Sequence, residues 1–241
     1  MGAMPVRAWF DLARAGNLPS VASNVLAAAV LSLPPEQSWP AAGPLALAFA
    51  GGGLVYAGGA TLNDVVDAGF DARHRPERPI PRGLITRRRA AWVAGLEMAG
   101  GLALLLAAGA AAGWVLGLAA AILAYDWLHK RWVGAVALMA ACRVLLAVAV
   151  ASLPGHAPPG AFVGWAAALF VYIVLLSLVA RRESQPGTPA TPLRRNVALL
   201  LACLPLLDAA ALLLTGAWVP AMACAAAVPG GRWAQRLAAA T

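Results

Sequence analysis

Long apolar runs alternate with short polar connections along the chain, and the length of those runs predicts helices. Apolar residues dominate 18–33, 41–62, 90–110, 112–128, 133–153, 161–180, 197–214 and 217–229, the last being the shortest and weakest. A bilayer-spanning helix needs roughly 20 mostly apolar residues, and these runs are too continuous for amphipathic helices around a water-solvated core. Pro34-Pro35, Pro154, Pro158-Pro159 and Pro220 stand at run ends or starts, where helices break. Only a few small residues near Gly113 separate the third and fourth runs, which predicts a tight helical hairpin. The pattern gives an all-α polytopic membrane protein, a helical bundle of eight (8–9) spans forming one transmembrane domain over residues 1–241. Its two longest basic connections each follow the second span of a four-span group. That spacing suggests two pseudo-repeated halves, about 1–131 and 132–241.

Composition agrees with this class. The chain is 61% hydrophobic and 12% charged, against about a quarter charged in ordinary soluble domains. Charge also sets a topology. With the N-terminus inside, the inner segments 1–17, 63–89, 129–132, 181–196 and 230–241 hold 17 of the 18 basic residues, and the outer connections hold none. By the positive-inside rule the N-terminus and the basic loops are cytoplasmic. The net charge of +8 therefore reads as orientation and headgroup contact rather than nucleic-acid binding. The first run follows a polar start containing Arg7, Asp11, Arg14 and Asn17 and ends without a polar cleavage region, so it is expected to be a retained span. Cys142, Cys203 and Cys224 lie within apolar runs without CxxC spacing and read as packing residues.

The remaining basic residue, Arg143, lies some ten residues inside the fifth run, and Asp208 lies at a comparable depth in the seventh. Charge at that depth is costly unless it pairs, snorkels or faces a polar cavity. Two readings stand: the two residues approach each other or share a wet cavity, or Arg143 snorkels alone beside a protonated Asp208. Of the aromatics, Trp92, Trp127, Trp132 and Trp233 near the inner face read as interfacial anchors. Tyr172, deep in the sixth run, is a candidate for the cavity wall.

The scarce acids are concentrated in one place. Four of the ten acidic residues fall between positions 64 and 77. Asp64, Asp67 and Asp71 are spaced i, i+3, i+7, which puts them within about 60° of one another on a helix leaving the second span. Three carboxylates stacked in this way repel unless positive charge lies between them. Mg2+, which takes one or two carboxylates together with water and phosphate oxygens, suits such a face. The loop that follows carries Arg73, Arg75, Arg78, Arg82 and Arg87 to Arg89, stiffened by Pro76, Pro79 and Pro81. Arginine forks bind phosphate oxygens bidentately. An acidic face beside an arginine loop at a membrane surface suggests a metal-bridged diphosphate whose apolar tail lies between helices.

The stretch Asn63-Asp64-Val65-Val66-Asp67-Ala68-Gly69-Phe70-Asp71, continued by Arg78-Pro79-Ile80-Pro81-Arg82-Gly83, resembles the first signature of the UbiA superfamily of intramembrane prenyltransferases, with Arg82 where a small Ser is usual. Arg14-Ala15-Gly16-Asn17 is similar to the family's R-P-x-N entry to the first helix. Tyr125-Asp126-Trp127-Leu128-His129-Lys130-Arg131 is similar to its Y-S-x-x-L-K-R segment. The resemblance implies a bundle around a central cavity, an enzyme that uses Mg2+ and a prenyl diphosphate, and a lipid-soluble, aromatic-type acceptor. Carried onto this chain, Asp64, Asp67, Asp71 and Glu183 are the expected metal ligands. Asp64, Asp67 and Lys130 are the expected catalytic residues. Asn17, Asn63, Arg75, Arg78, Arg131, Arg143, Tyr172, Arg181 and Arg182 are expected to contact substrate. No obligate protein partner is implied.

One departure matters. Where the family carries a second Asp-rich motif, this chain reads Arg181-Arg182-Glu183-Ser184, with one acid crowded by two arginines. The arginines either hold phosphate directly in place of a metal or merely mark the cytoplasmic boundary. This departure, with Tyr125-Asp126 and Cys142-Arg143, is similar to the divergent EboC-like branch. The alternative is therefore a non-catalytic or weakly catalytic relative that binds or helps export a prenyl-type or secondary-metabolite precursor. A CDP-alcohol phosphatidyltransferase is disfavoured, because its D-G-x-x-A-R and downstream G-x-x-x-D-x-x-x-D spacing is absent.

Overall fold

The computed structural model describes the backbone of residues 3–34, 37, 39–183 and 190–238, and the side chains of residues 6–34, 37, 39–181 and 196–238. Nine α-helices and no strands are present among them. The eight apolar runs appear as α2 (Leu18–Leu31), α3 (Ala42–His74), α4 (Arg87–Ala107), α5 (Ala112–Leu128), α6 (Ala135–Ala151), α7 (Gly160–Glu183), α8 (Ala190–Leu214) and α9 (Trp218–Leu237). The ninth helix, α1 (Ala3–Leu12), lies in the segment expected to be a polar leader, and a 3-10 turn at Ala15–Asn17 joins it to α2. Ala8 and Leu12 of α1 are buried while Val6 and Phe10 are exposed. The helix thus lies with one face on the protein.

Sequence neighbours pack side by side from α3 through to α9, and α9 returns to α2. Helix α2 touches α3, α6, α7, α8 and α9 and is buried along most of its length. Small residues allow the closest approach, between α3 and α4. A Cβ on Gly101 would lie 2.7 Å from the Gly51 carbonyl oxygen, and one on Gly58 would lie 2.8 Å from the Met98 nitrogen. This is the small-residue contact by which membrane helices pack backbone to backbone.

Among the described residues, four segments are long and apolar enough to cross a bilayer: Ala42–His74, Arg87–Ala107, Gly160–Arg181 and Asn196–Leu214. Three shorter apolar helices accompany them. At 1.5 Å per residue the 33 residues of α3 measure about 50 Å, well beyond the ~30 Å hydrocarbon layer. Counted from Ala42, that layer is spent by about position 62. The acidic turns lie beyond the length of helix that such a layer takes up.

The loop after α3 is folded. Backbone bonds run from Arg78 to the Arg75 carbonyl, from Arg82 to that of Arg78 and from Leu84 to that of Pro79. Ile85 joins Val65, Ala8, Leu12 and Ala90 in a small second core, with Trp9, Ile80 and Leu84 packed against it. Arg87 Nε donates to the Val65 carbonyl at 2.9 Å, and Thr86 caps α4 by accepting from the Arg89 N–H. Helix α1 and the proline-rich loop together hold the arginines over the acidic turns.

Candidate functional site

The three α3 carboxylates face the protein interior, as the i, i+3, i+7 spacing requires: Asp64, Asp67 and Asp71 are 5%, 7% and 1% exposed. The positive charge beside them comes from the chain itself. Arg78 Nη1 donates to Asp64 Oδ1 at 2.7 Å and to Asp71 Oδ2 at 3.1 Å, bridging the two. Arg14 Nη2 donates to the same Asp64 oxygen at 3.2 Å. Lys130 Nζ lies 2.6 Å from Asp67 Oδ1, and His129 Nε2 lies 3.2 Å from Asp67 Oδ2. Three carboxylates thus meet two arginines, a lysine and a histidine.

Local structure explains how the partners arrive. Arg14 has φ 46° and ψ 46°, the left-handed region that L-residues with side chains seldom adopt. The reversal there turns the chain from α1 into α2 below Asp64. Gly16 beside it is closely packed: a Cβ there would lie 3.0 Å from the Ala238 carbonyl oxygen, where the end of α9 closes on the turn. Lys130 and His129 come from the end of α5. The Lys130 ammonium also sits 3.8 Å from the centre of the Phe70 ring. For His129, burial works against the charged form, but the hydrogen bond to Asp67 and that carboxylate's charge outweigh it and hold the imidazole above its ordinary pKa. For Arg78, burial and the nearby Arg14 lower the pKa against the pull of Asp64 and Asp71.

A second tier lies behind these contacts. Asn63 Nδ2 donates to Asp126 Oδ1 at 3.1 Å, and the other Asp126 oxygen is buried without a partner. Arg181, from α7, donates to the His129 carbonyl at 3.2 Å and so joins the end of α5 beside Lys130. A third tier runs into the bundle. Asn17 Nδ2 donates to the Tyr56 hydroxyl at 3.0 Å, and the Arg143 guanidinium lies 5.3 Å from the Tyr56 ring centre. Arg143 donates to Asn24 Oδ1 at 2.7 Å and to Ser20 Oγ at 3.1 Å. Asp208 accepts from Ser23 Oγ, Asn24 Nδ2 and Trp165 Nε1 at 2.6–3.0 Å. Arg143 and Asp208 therefore share Asn24 as a bridge. Neither snorkels: they are 8% and 0% exposed.

Of the residues singled out in sequence, Asn17, Asn63, Asp64, Asp67, Asp71, Arg78, Lys130, Arg143 and Arg181 are tied to one or another of these tiers. Arg75 lies in the folded loop between Asp71 and Arg78. Arg131 stands apart: it is exposed, with its guanidinium 5.7 Å from the centre of the exposed Trp127 ring. The Tyr172 hydroxyl donates to the Leu200 carbonyl of α8 at 2.7 Å, five residues before Pro205 in the same continuous helix. The side chains of Arg182 and Glu183 lie outside the described residues. Sequence reasoning missed Arg14, Tyr56, Asn24, Asp126 and His129 as site residues. Arg14 had a signal in its place three residues before Asn17. Ser20, Ser23 and Asn24 had one in their shared helical face within an apolar run.

Among the described residues no three Asp, Glu, His or Cys side chains converge closely enough to cage a metal ion. The α3 face does offer carboxylate oxygens singly, and Asp71 Oδ1 is buried without a hydrogen-bond partner. Such a donor set suits a hard cation that takes one or two carboxylates and fills its sphere with water and phosphate oxygens.

A model of the UbiA prenyltransferase family matches residues 21–240. The chain belongs to the UbiA prenyltransferase family. With its long apolar helices, it is an integral membrane protein of that family. Digeranylgeranylglyceryl phosphate synthase of Thermococcus gammatolerans is 37% identical over 103 residues, 43% of this chain and 36% of that protein. The Thermococcus kodakarensis protein of the same name is 46% identical over 48 residues, 20% of this chain and 17% of that one. The matched segments span about a third or less of those relatives' length. Among solved structures, digeranylgeranylglyceryl phosphate synthase in membranes has a TM-score of 0.60 at 16% identity, covering 97% of this chain and 95% of that one. A UbiA homolog from Archaeoglobus fulgidus bound to GPP and Mg2+ has a TM-score of 0.57 at 17% identity, covering 94% and 99%. At these identities the likeness is one of fold, and it bears out the expected UbiA-like bundle.

Proposed function

We propose that the chain is an intramembrane prenyltransferase that binds a prenyl diphosphate at the end of α3 and passes the prenyl group to a lipid-soluble acceptor. The observation that carries this reading is the meeting of Asp64, Asp67 and Asp71 with Arg14, Arg78 and Lys130 at one end of an apolar bundle. It is supported by the family, by a relative named as a prenyl-lipid synthase and by a solved homolog bound to GPP and Mg2+. Asp64, Asp67 and Asp71 would hold magnesium, which would supply positive charge to the leaving group when bound.

The chain's own residues do the rest. Arg78, Arg14 and Lys130 exchange carboxylate for diphosphate oxygens, and Arg181 adds charge beside Lys130. These fixed cations stabilise the charge that develops as the C1–O bond breaks and its electron pair leaves with diphosphate. The acceptor's electrons then form the new bond to C1, and the acceptor loses a proton. Apolar helices hold the prenyl chain and keep water from the allylic cation. The basic end faces the cytoplasm, as the grouping of Arg14, Arg78, Lys130 and Arg181 favours.

The test is incubation of the purified protein with labelled prenyl diphosphates, Mg2+ and aromatic or lipid acceptors. Diphosphate release that disappears in Asp64→Ala and Asp67→Ala supports catalysis. Tight binding without release, insensitive to EDTA, overturns it in favour of a carrier.

A further inference from the structure

Two arginines share a notch where α1 meets the end of α9. Helix α1 lays Ala8 and Leu12 on the protein and leaves Val6, Arg7 and Phe10 exposed. The last turn of α9 sets Arg236 and Leu237 beside them, and these five residues line an open notch of about 510 Å3. It lies at the end of the bundle that carries the acidic turns, because α1 packs against Val65 and Ile85. Among the described residues neither Arg7 nor Arg236 forms an ion pair, although Asp11 stands one turn along α1 from Arg7. Like charges facing one notch repel without a counter-ion, and guanidinium forks match the paired oxygens of a phosphate.

The apolar rim narrows the choice of anion. Val6, Phe10 and Leu237 are exposed beside the guanidiniums, and Trp233 is exposed one turn back along α9, next to Arg232. A free anion leaves that surface in water, whereas an amphiphile covers it. A short helix with a basic residue between exposed apolar ones suits the headgroup layer, and tryptophan favours the same level. We propose that the notch between α1 and the end of α9 seats one anionic phospholipid, its phosphate between Arg7 and Arg236 and the head of an acyl chain against Val6, Phe10 and Leu237. The seat requires only that the chain is a membrane protein and is independent of the prenyltransferase reading. It also has a consequence for the α3 face. Arg14, two residues past α1, donates to Asp64, and Gly16 packs on Gln235 and Ala238 at the end of α9. A lipid that clamps α1 to α9 braces the turn that brings Arg14 to Asp64.

Fluorescence anisotropy of an acyl-labelled phosphatidylglycerol, mixed with the purified full chain in detergent, tests this by competition. Unlabelled phosphatidylglycerol is expected to displace the probe about tenfold more effectively than zwitterionic phosphatidylcholine, and inorganic phosphate is expected not to displace it. Arg7→Gln combined with Arg236→Gln is expected to raise the phosphatidylglycerol Kd roughly 10–30-fold and erase its advantage. Arg88→Gln combined with Arg89→Gln removes the same charge from exposed positions on α4 and is expected to keep it. Equal competition by the two lipids in the wild type overturns the proposal whether or not any variant folds. So does an advantage that survives without Arg7 and Arg236, or an equal loss without Arg88 and Arg89. Displacement by inorganic phosphate would mark a free-anion site instead. A dimer in light scattering that the Arg7 and Arg236 substitutions break, with no lipid preference, would assign the face to a second copy of the chain.

Discussion

Arg78→Ala separates the geometry of the acidic face from its chemistry. One guanidinium nitrogen donates to both Asp64 and Asp71, at 2.7 and 3.1 Å. The side chains are 12%, 7% and 2% exposed, so solvent replaces little of what is lost. Truncation leaves Asp64 with Arg14 and removes from Asp71 its recorded ion pair, while the other Asp71 oxygen is already without a partner. A hydrogen bond to a charged group contributes about 1.5–3 kcal/mol, and stranding a buried charge costs about 3–5 kcal/mol. With Arg14 still on Asp64, the loss is about 2–4 kcal/mol. For a chain of this length that lowers Tm by roughly 5–15 °C. Tryptophan-fluorescence melting of the purified protein in detergent reads it directly. Arg78→Ala combined with Asp71→Asn should recover about half, because a neutral amide needs no cation. A single variant that melts within about 1 °C of wild type, or a double variant that melts lower still, refutes the reasoning.

Other variants probe other levels. Lys130→Met should weaken prenyl-diphosphate binding about tenfold, read by equilibrium dialysis, because Lys130 lies on Asp67 where the diphosphate is proposed to dock. Asn24→Ala should lower Tm by the equivalent of about 2–4 kcal/mol, because it strips partners from Asp208 and Arg143 together. Adding Asp208→Asn to it should restore part of that loss in the same melt. Gly101→Val should cost about 1–3 kcal/mol or prevent accumulation of folded protein, because its Cβ meets the Gly51 carbonyl at 2.7 Å. Gly95→Val, where a Cβ meets nothing within 4 Å, is the matched control.

Much of this architecture is legible along the chain, for a physical reason. A membrane span must satisfy its own backbone, so its apolar run and its helix coincide, and all eight runs appear as helices, although α3, α8 and α9 continue two or three turns into the polar flanks to His74, Ala190 and Leu237. Helix α1 escaped because Arg7 and Asp11 make its segment read as a polar leader. Its signal is weaker: Ala8 and Leu12 at helical spacing, facing Val65 and Ile85. The shared face of Asp64, Asp67 and Asp71 follows from 3.6-residue periodicity, and the structure keeps it. The identity of the cations opposite them is a different matter. Arg14 is 50 residues from Asp64, and His129 is 62 from Asp67. Such pairings belong to tertiary packing, and only the motifs around Asn17 and Lys130 hinted at them. The bridge from Arg143 to Asp208 shows the same limit. Two costly charges at matching depth suggested a meeting, but the intermediary Asn24 depends on how α2 lies among α6, α7 and α8.

The account's central claim is that the α3 carboxylates and the cations paired with them form one diphosphate site. The most direct measurement is binding of a non-hydrolysable prenyl thiolodiphosphate to the purified protein, with and without Mg2+, in the wild type and in Asp64→Asn and Asp67→Asn. The account predicts that Mg2+ tightens wild-type binding at least tenfold and that either substitution abolishes the Mg2+ effect. Binding that is indifferent to Mg2+ in the wild type, or a Mg2+ effect that persists undiminished in both variants, would contradict it.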